Sequence, residues 1–232
     1  MPELPYARQL LTAYGLDGAG WELLPEMDER WSPLVPGSEP VWRSVREGDA
    51  LGQQVFEHLP MRGGAWLDWL ASQPQHWEAV GLEFNPDGSV QGLVQHIDNN
   101  GDVRVAVTCT LCHPSGRGRR NLNLGLARAL WRESIGLDGG PGATWGAGMV
   151  DVTDDGADNP AAIPDLFGME HVQYMNSSGV IEITDPSVVA IRFETQFILG
   201  HGLMSRPARD LVWALADHVR SFDAGTNPAD PP

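Results

Sequence analysis

Apolar residues recur at helical spacing near the end of the chain. Within residues 207–222, Leu211, Leu215 and Val219 form one stripe, widened by Val212 and Phe222, and Ser205 stands where an N-cap belongs. Residues 186–199 predict a second helix, with Asp185 as N-cap and Pro186 in the first turn. Residues 121–133 predict a third, through Leu122, Leu126, Ala129 and Leu130. Toward the N-terminus the pattern shortens. Residues 7–14, 49–59 and 64–70 are candidate helices, kept short by Pro25, Pro33, Pro36, Pro40 and Pro60. Residues 89–97 and 103–107 alternate or run apolar around Asn100-Gly101, which predicts a β-hairpin. Residues 135–168, rich in Gly, Asp and Pro, predict an ordered loop, and residues 223–232 a disordered tail. The expected division is an N-terminal helical and loop extension over 1–85, a core domain over 86–222 and the tail. Trp21, Trp31, Trp42, Trp66, Trp69 and Trp77 supply the extension with aromatic mass for a core.

Composition narrows the function. With 232 residues, 42% hydrophobic and 20% charged, the chain can bury a core. It contains no run of about 18 apolar residues, so no membrane span is expected. A net charge of −16 argues against nucleic acid, whose phosphates require a basic surface. All 15 basic residues are Arg, so Lys can serve neither as nucleophile nor as iron ligand.

The two cysteines of the chain fall together in Cys109-Thr110-Leu111-Cys112-His113. This is the CxxCH pattern of c-type haem attachment. Two thiols three residues apart on a tight turn reach the two vinyl groups of one haem edge. The following imidazole then turns under the ring to meet the iron. A thioredoxin-like CxxC needs a βαβ setting, whereas PSGRGRRN follows here. A structural zinc site needs four ligands, and there is no second cysteine pair. One covalent haem c is therefore expected, attached through Cys109 and Cys112, with His113 as the proximal iron ligand.

Three stretches extend the likeness. VAVTCTLCHPSGR resembles the attachment segment of the cytochrome c superfamily. WGAGMVDVTDDGADNPAAIPDLFGMEHVQYMNSSGVIE and GLMSRPARDLVWALADHVRSF resemble later segments of the bacterial dihaem cytochrome c peroxidase group, closest to its single-haem relatives. The likeness covers about residues 86–222. It implies a mostly α fold: a cytochrome c-like haem-binding core, with the short hairpin before CxxCH and a helical N-terminal extension. This chain departs from the dihaem peroxidases in having a single CxxCH. It also carries Met149 where they have an Arg, and Asn176-Ser177-Ser178 where they have His-Asp-Gly.

The resemblance implies a distal Met just before the C-terminal helix, which is Met204. His201, Met175 and Met149 are the alternatives for the sixth iron ligand, with Met169 and His171 further candidates. Arg117, Arg119 and Arg120 follow the motif closely and are candidates to pair with haem propionates. Trp145 and Tyr174 are candidate hydrogen-bond donors to the same groups. Asp151, Asp154, Asp155, Asp158 and Asn159 crowd one loop that could offer oxygen ligands to calcium, without EF-hand spacing.

The expected function is electron transfer by Fe(III)/Fe(II) cycling of one haem, with a redox protein of basic surface as partner. Two alternatives stay open. One is a peroxidase- or oxygenase-like haem enzyme, for which Glu170, His171 and Glu194 are candidate groups. The other is a haem-based gas sensor with an open or labile sixth site. Haem attachment to CxxCH in bacteria follows export, so a periplasmic or otherwise exported protein is expected. MPELPYARQLL lacks the basic and apolar regions of a signal peptide, which would then lie outside this chain.

Overall fold

The computed structural model describes residues 30–45, 50–98, 100–151, 158–175, 181–183, 185–197 and 207–222. The expected helix at 7–14, the Ser205 cap, Trp21 and the tail lie outside them.

An antiparallel sheet is built around the expected hairpin. Strands β4 (Leu93–Ile97) and β5 (Val103–Val107) pair from Leu93↔Val107 to Ile97↔Val103. At the tip, the Asp98 carboxylate accepts the backbone N–H groups of Asn100 and Asp102, at 2.8 and 3.0 Å. This holds the turn shut at the chain reversal. Strand β1 (Arg30–Pro33) joins the outer edge of β4, with Ser32 opposite Gln95. Strand β3 (Arg62–Gly63) joins β5, and β2 (Arg43–Ser44) pairs with the first half of β1. The order is β2-β1-β4-β5-β3.

This sheet overturns the expectation of a mostly α, cytochrome c-like fold. The architecture is mixed, and the stretch expected to be a helical extension contributes three of the strands. The physical reason is pairing across sequence distance. Strands of two to four residues are too short to show alternation, and Pro33, Pro36 and Pro40 mark that stretch as loop. Such segments become strands only because the edges of the hairpin offer unpaired N–H and C=O groups.

Helices pack around the sheet. They are α1 (Leu51–His58), α2 (Ala65–Ala71), α3 (Trp77–Val80), α4 (Cys109–Cys112), α5 (Leu124–Ser134), α6 (Pro186–Thr195) and α7 (Arg209–Arg220). Asn123 caps α5 by accepting Leu126 N–H at 2.9 Å, and Asp185 caps α6 through Ser187 N–H at 2.8 Å. Helix α1 crosses α7 at Gly52, where a Cβ would lie 2.2 Å from the Ala214 carbonyl oxygen. The stripe Leu211, Val212, Leu215 and Val219 is buried, as the periodicity required. Further on, β6 (Met149–Val150) pairs with β7 (Ala161–Ala162), and β8 (Tyr174–Met175) pairs with β9 (Ile181–Glu182).

One hydrophobic cluster runs from Trp31 to Val219, so residues on both sides of position 85 share a core as well as a sheet. Trp31 and Trp77 are buried in it, Trp66 and Trp69 pack against it, and Trp42 is 37% exposed. Among the described residues, no helix is long and apolar enough to cross a membrane.

Candidate cofactor site

The CxxCH segment folds as a single helical turn, α4, at the end of β5. Thr108 N–H donates to the Gly92 carbonyl at 3.0 Å and locks the start of the turn to β4. His113 N–H closes on Cys109 C=O at 3.0 Å, and Arg119 N–H reaches Cys112 C=O at 2.8 Å. The Thr110 hydroxyl donates to the Phe56 carbonyl of α1 at 3.2 Å. Leu111 is fully buried against Gly92. A Cβ on Gly92 would lie 2.2 Å from the Leu111 nitrogen, so the turn can seat here only over a glycine.

 The Gly92 φ is +80°, a conformation that L side chains rarely adopt.

Both thiols and the imidazole face one cavity of about 240 Å³. Its walls are largely apolar. Phe56, Met61 and Trp66 come from the N-terminal part, Leu124 from α5, Val150 from β6 and Leu166 from the loop before the turn at 169–171. Phe193 and Phe197 close it from α6 and the turn that follows, and Val219 from α7. The Met61 sulfur lies 3.5 Å from the Cys109 sulfur. The polar groups on the described wall are few: Thr108, Arg128, Trp145, Asp151 and Gln196, besides the motif itself.

Burial sets the protonation of the motif. It pushes the Cys109 and Cys112 thiols up to about 12, with Cys112 adding to the effect on Cys109 and the Arg119 guanidinium opposing it at Cys112. Both therefore stand as neutral, free thiols, poor nucleophiles and poor metal ligands in this fold. Burial also pushes the His113 imidazole down to about 4, against the Pro164 carbonyl and the Asp165 carboxylate, which raise it. The ring is neutral at pH 7, as an iron ligand must be. Its Nδ1 is buried with no hydrogen-bond partner among the described residues. Two thiols and a neutral imidazole on one apolar wall are the donor set that the CxxCH pattern of haem attachment uses. Among the described residues, no group of three or more His, Cys, Asp and Glu could hold a bare metal ion.

The other residues singled out from the sequence are dispersed. Arg117 lies over the Phe167 ring at 5.2 Å. Arg120 donates to the Ile163 carbonyl at 2.6 Å and lies 3.7 Å from Asp165. Neither is on the described cavity wall. Arg119 is buried, donates to Gln91 and lies 3.7 Å from Glu83; its Nε and Nη1 have no hydrogen-bond partner among the described residues. Trp145 does wall the cavity, with its Nε1–H already given to Asp158 at 2.6 Å. Tyr174 is 53% exposed on β8.

Met204 and His201 lie outside the described residues, as do Asp154 and Asp155. Met149 and Met175 are described and are not on the cavity wall; Met175 packs in a second small cluster with Ile181 and Val189. Glu170 and His171 pair on the surface at 3.3 Å, and Glu194 is buried in α6. The sequence reading missed Met61 and Arg128. Met61 carries no local signal. Arg128 stands one turn after Leu124 and shares its face of α5, a spacing that could have flagged it. Comparison with protein-family models, with curated proteins and with solved structures finds no match to this chain.

Proposed function

We propose that the chain is a monohaem c-type cytochrome that transfers electrons. The observation that carries this reading is the convergence of Cys109, Cys112 and a neutral His113 on one apolar cavity. Haem c, when bound, supplies a one-electron Fe(III)/Fe(II) couple. The chain does the rest. Cys109 and Cys112 would hold the group by thioether bonds, and His113 would ligate its iron. Phe56, Trp66, Phe193 and Phe197 exclude water, which limits reorganisation as the charge changes.

Met204 is the proposed distal ligand, on the strength of its position before the last helix. Met61 is a second candidate, because its thioether is on the described wall beside Cys109. The net charge of −16 suits a redox partner with a basic surface. Haem attachment to CxxCH suits an exported, periplasmic setting.

The test is an optical spectrum of protein made in a host with c-type maturation machinery. The expected result is haem that survives denaturation, six-coordinate iron with the weak far-red band of a Met–iron bond, and no reaction with carbon monoxide. Replacing Met204 and Met61 one at a time identifies the ligand by loss of that band. High-spin ferric iron and ready carbon monoxide binding would replace electron transfer with a catalytic or gas-sensing role. Absence of covalent haem from matured protein overturns the proposal.

A further inference from the structure

We infer that Arg128 is the anion-binding residue of this cavity and pairs with a haem propionate. The inference rests on the haem reading above and concerns a residue that the motif does not point to. Haem carries its two carboxylates on the edge opposite the vinyl groups. If Cys109 and Cys112 take the vinyl edge, the carboxylates lie at the far side of the cavity from the motif. The described wall offers few groups to meet them.

Arg128 is the one guanidinium on that wall among the described residues. It is half-buried on α5, one turn beyond the buried Leu124 and on the same face. Its guanidinium lies over the Trp145 ring at 5.6 Å. The indole thus gives it a platform that leaves the edge N–H groups of the fork directed away from the ring. A planar fork held this way suits a carboxylate, and partial burial strengthens the pair relative to one in open solvent.

The other arginines near the motif are not on the described wall. Arg120 is held by the Ile163 carbonyl and Asp165, Arg117 by Phe167, and Arg119 by Gln91 and Glu83. The wall also carries one carboxylate, Asp151, which has its own partner within the protein. In a chain of net charge −16, a propionate without a cation would face a repulsive field. Arg128 offsets it at the cavity itself.

The experiment compares wild type, Arg128→Leu and Arg128→Lys as matured holoproteins. Covalent haem is scored first on denatured protein, which tests the underlying haem reading separately. The midpoint potential is then followed against pH. Removing a cation beside the haem favours the ferric state, so Arg128→Leu is expected to have a lower potential at alkaline pH. The inflection caused by propionate ionisation should move to higher pH, since the carboxylate loses its counter-charge. Arg128→Lys should restore most of both changes. A potential–pH curve for Arg128→Leu that superimposes on wild type overturns the proposal. If Arg128→Leu fails to mature, Arg128→Lys and Arg128→Gln decide it: equal curves for these two overturn it, and a lower potential for the uncharged Gln supports it. A wild-type chain without covalent haem overturns this inference together with the haem reading.

Discussion

Gly92→Ala is the sharpest test of how the fold seats the CxxCH turn. Two costs combine at this position. The backbone is left-handed at φ +80°, which costs a non-glycine residue about 1–2 kcal/mol. The added Cβ would also stand 2.2 Å from the Leu111 nitrogen and 2.3 Å from its Cα. Those are backbone atoms of α4, so relief requires the whole turn to move. Overpacking of this kind costs about 1–3 kcal/mol more. The sum, about 2–5 kcal/mol, is a large share of the 5–15 kcal/mol or so by which folded domains are stable. Gly88→Ala is the control: its φ is +82°, and a Cβ there meets nothing within 4 Å. It pays the backbone cost alone, so the difference between the two variants isolates the contact with Leu111. The assay is urea unfolding of both variants beside wild type, read as the change in midpoint at constant slope. Haem incorporation is scored in parallel, because a displaced turn carries Cys109 and Cys112 with it. If Gly92→Ala loses no more stability than Gly88→Ala, the close seating of the turn on β4 is wrong.

Three further outcomes are expected. On the proposed haem reading, Cys109→Ser and Cys112→Ser should each leave one thioether and the double variant none, so that acid–acetone extraction of matured protein removes haem from the double variant while the single variants retain theirs. Burial lowers His58, His96 and His218 below the usual 6.5, against Glu57 at His58 and His218 and against Asp98 and Asp68 at His96. The unfolded chain therefore takes up protons first as pH falls, and stability that is full above about pH 6.5 declines below it; a urea midpoint that falls between neutral and mildly acidic pH as steeply in the triple His→Gln variant as in wild type would refute this. Asp185→Ala should cost about 1 kcal/mol, because it removes the acceptor for Ser187 N–H at the start of α6, and circular dichroism during urea unfolding would read the change.

The hairpin was legible because its information is local. Asn100-Gly101 marks the reversal, and each strand is five residues long, enough for a pattern to show. Helices α5, α6 and α7 were legible for the same reason, through periodicity and the Asp185 cap. Strands β1, β2 and β3 were not. Arg30–Pro33 has no alternation to read, and its pairing with β4 joins Ser32 to Gln95 across most of the intervening chain. The decision between loop and strand at such a segment belongs to its partner, so a reading of 1–85 in isolation returns helices and loops.

The candidate site divides along the same line. Cys109, Cys112 and His113 are contiguous, and one helical turn is enough to aim them together. What makes them a cavity wall is non-local: Phe56 and Met61 from the N-terminal part, Arg128 from α5, Phe193 and Phe197 from beyond residue 190. The Arg cluster after the motif shows how proximity in sequence misleads. Arg117, Arg119 and Arg120 lie closest to CxxCH along the chain, yet the loop that carries them turns their side chains onto Phe167, Gln91 and Ile163. Arg128 is farther along, but a helix starting at Leu124 gives it a fixed direction, and that direction is toward the cavity. For a charged side chain near a cofactor, the element that carries it decides its role more than its distance from the motif. The contrast between Arg128→Leu and an Arg120→Leu variant puts this to measurement: the first should move the potential of the matured protein, and the second should leave it where it is.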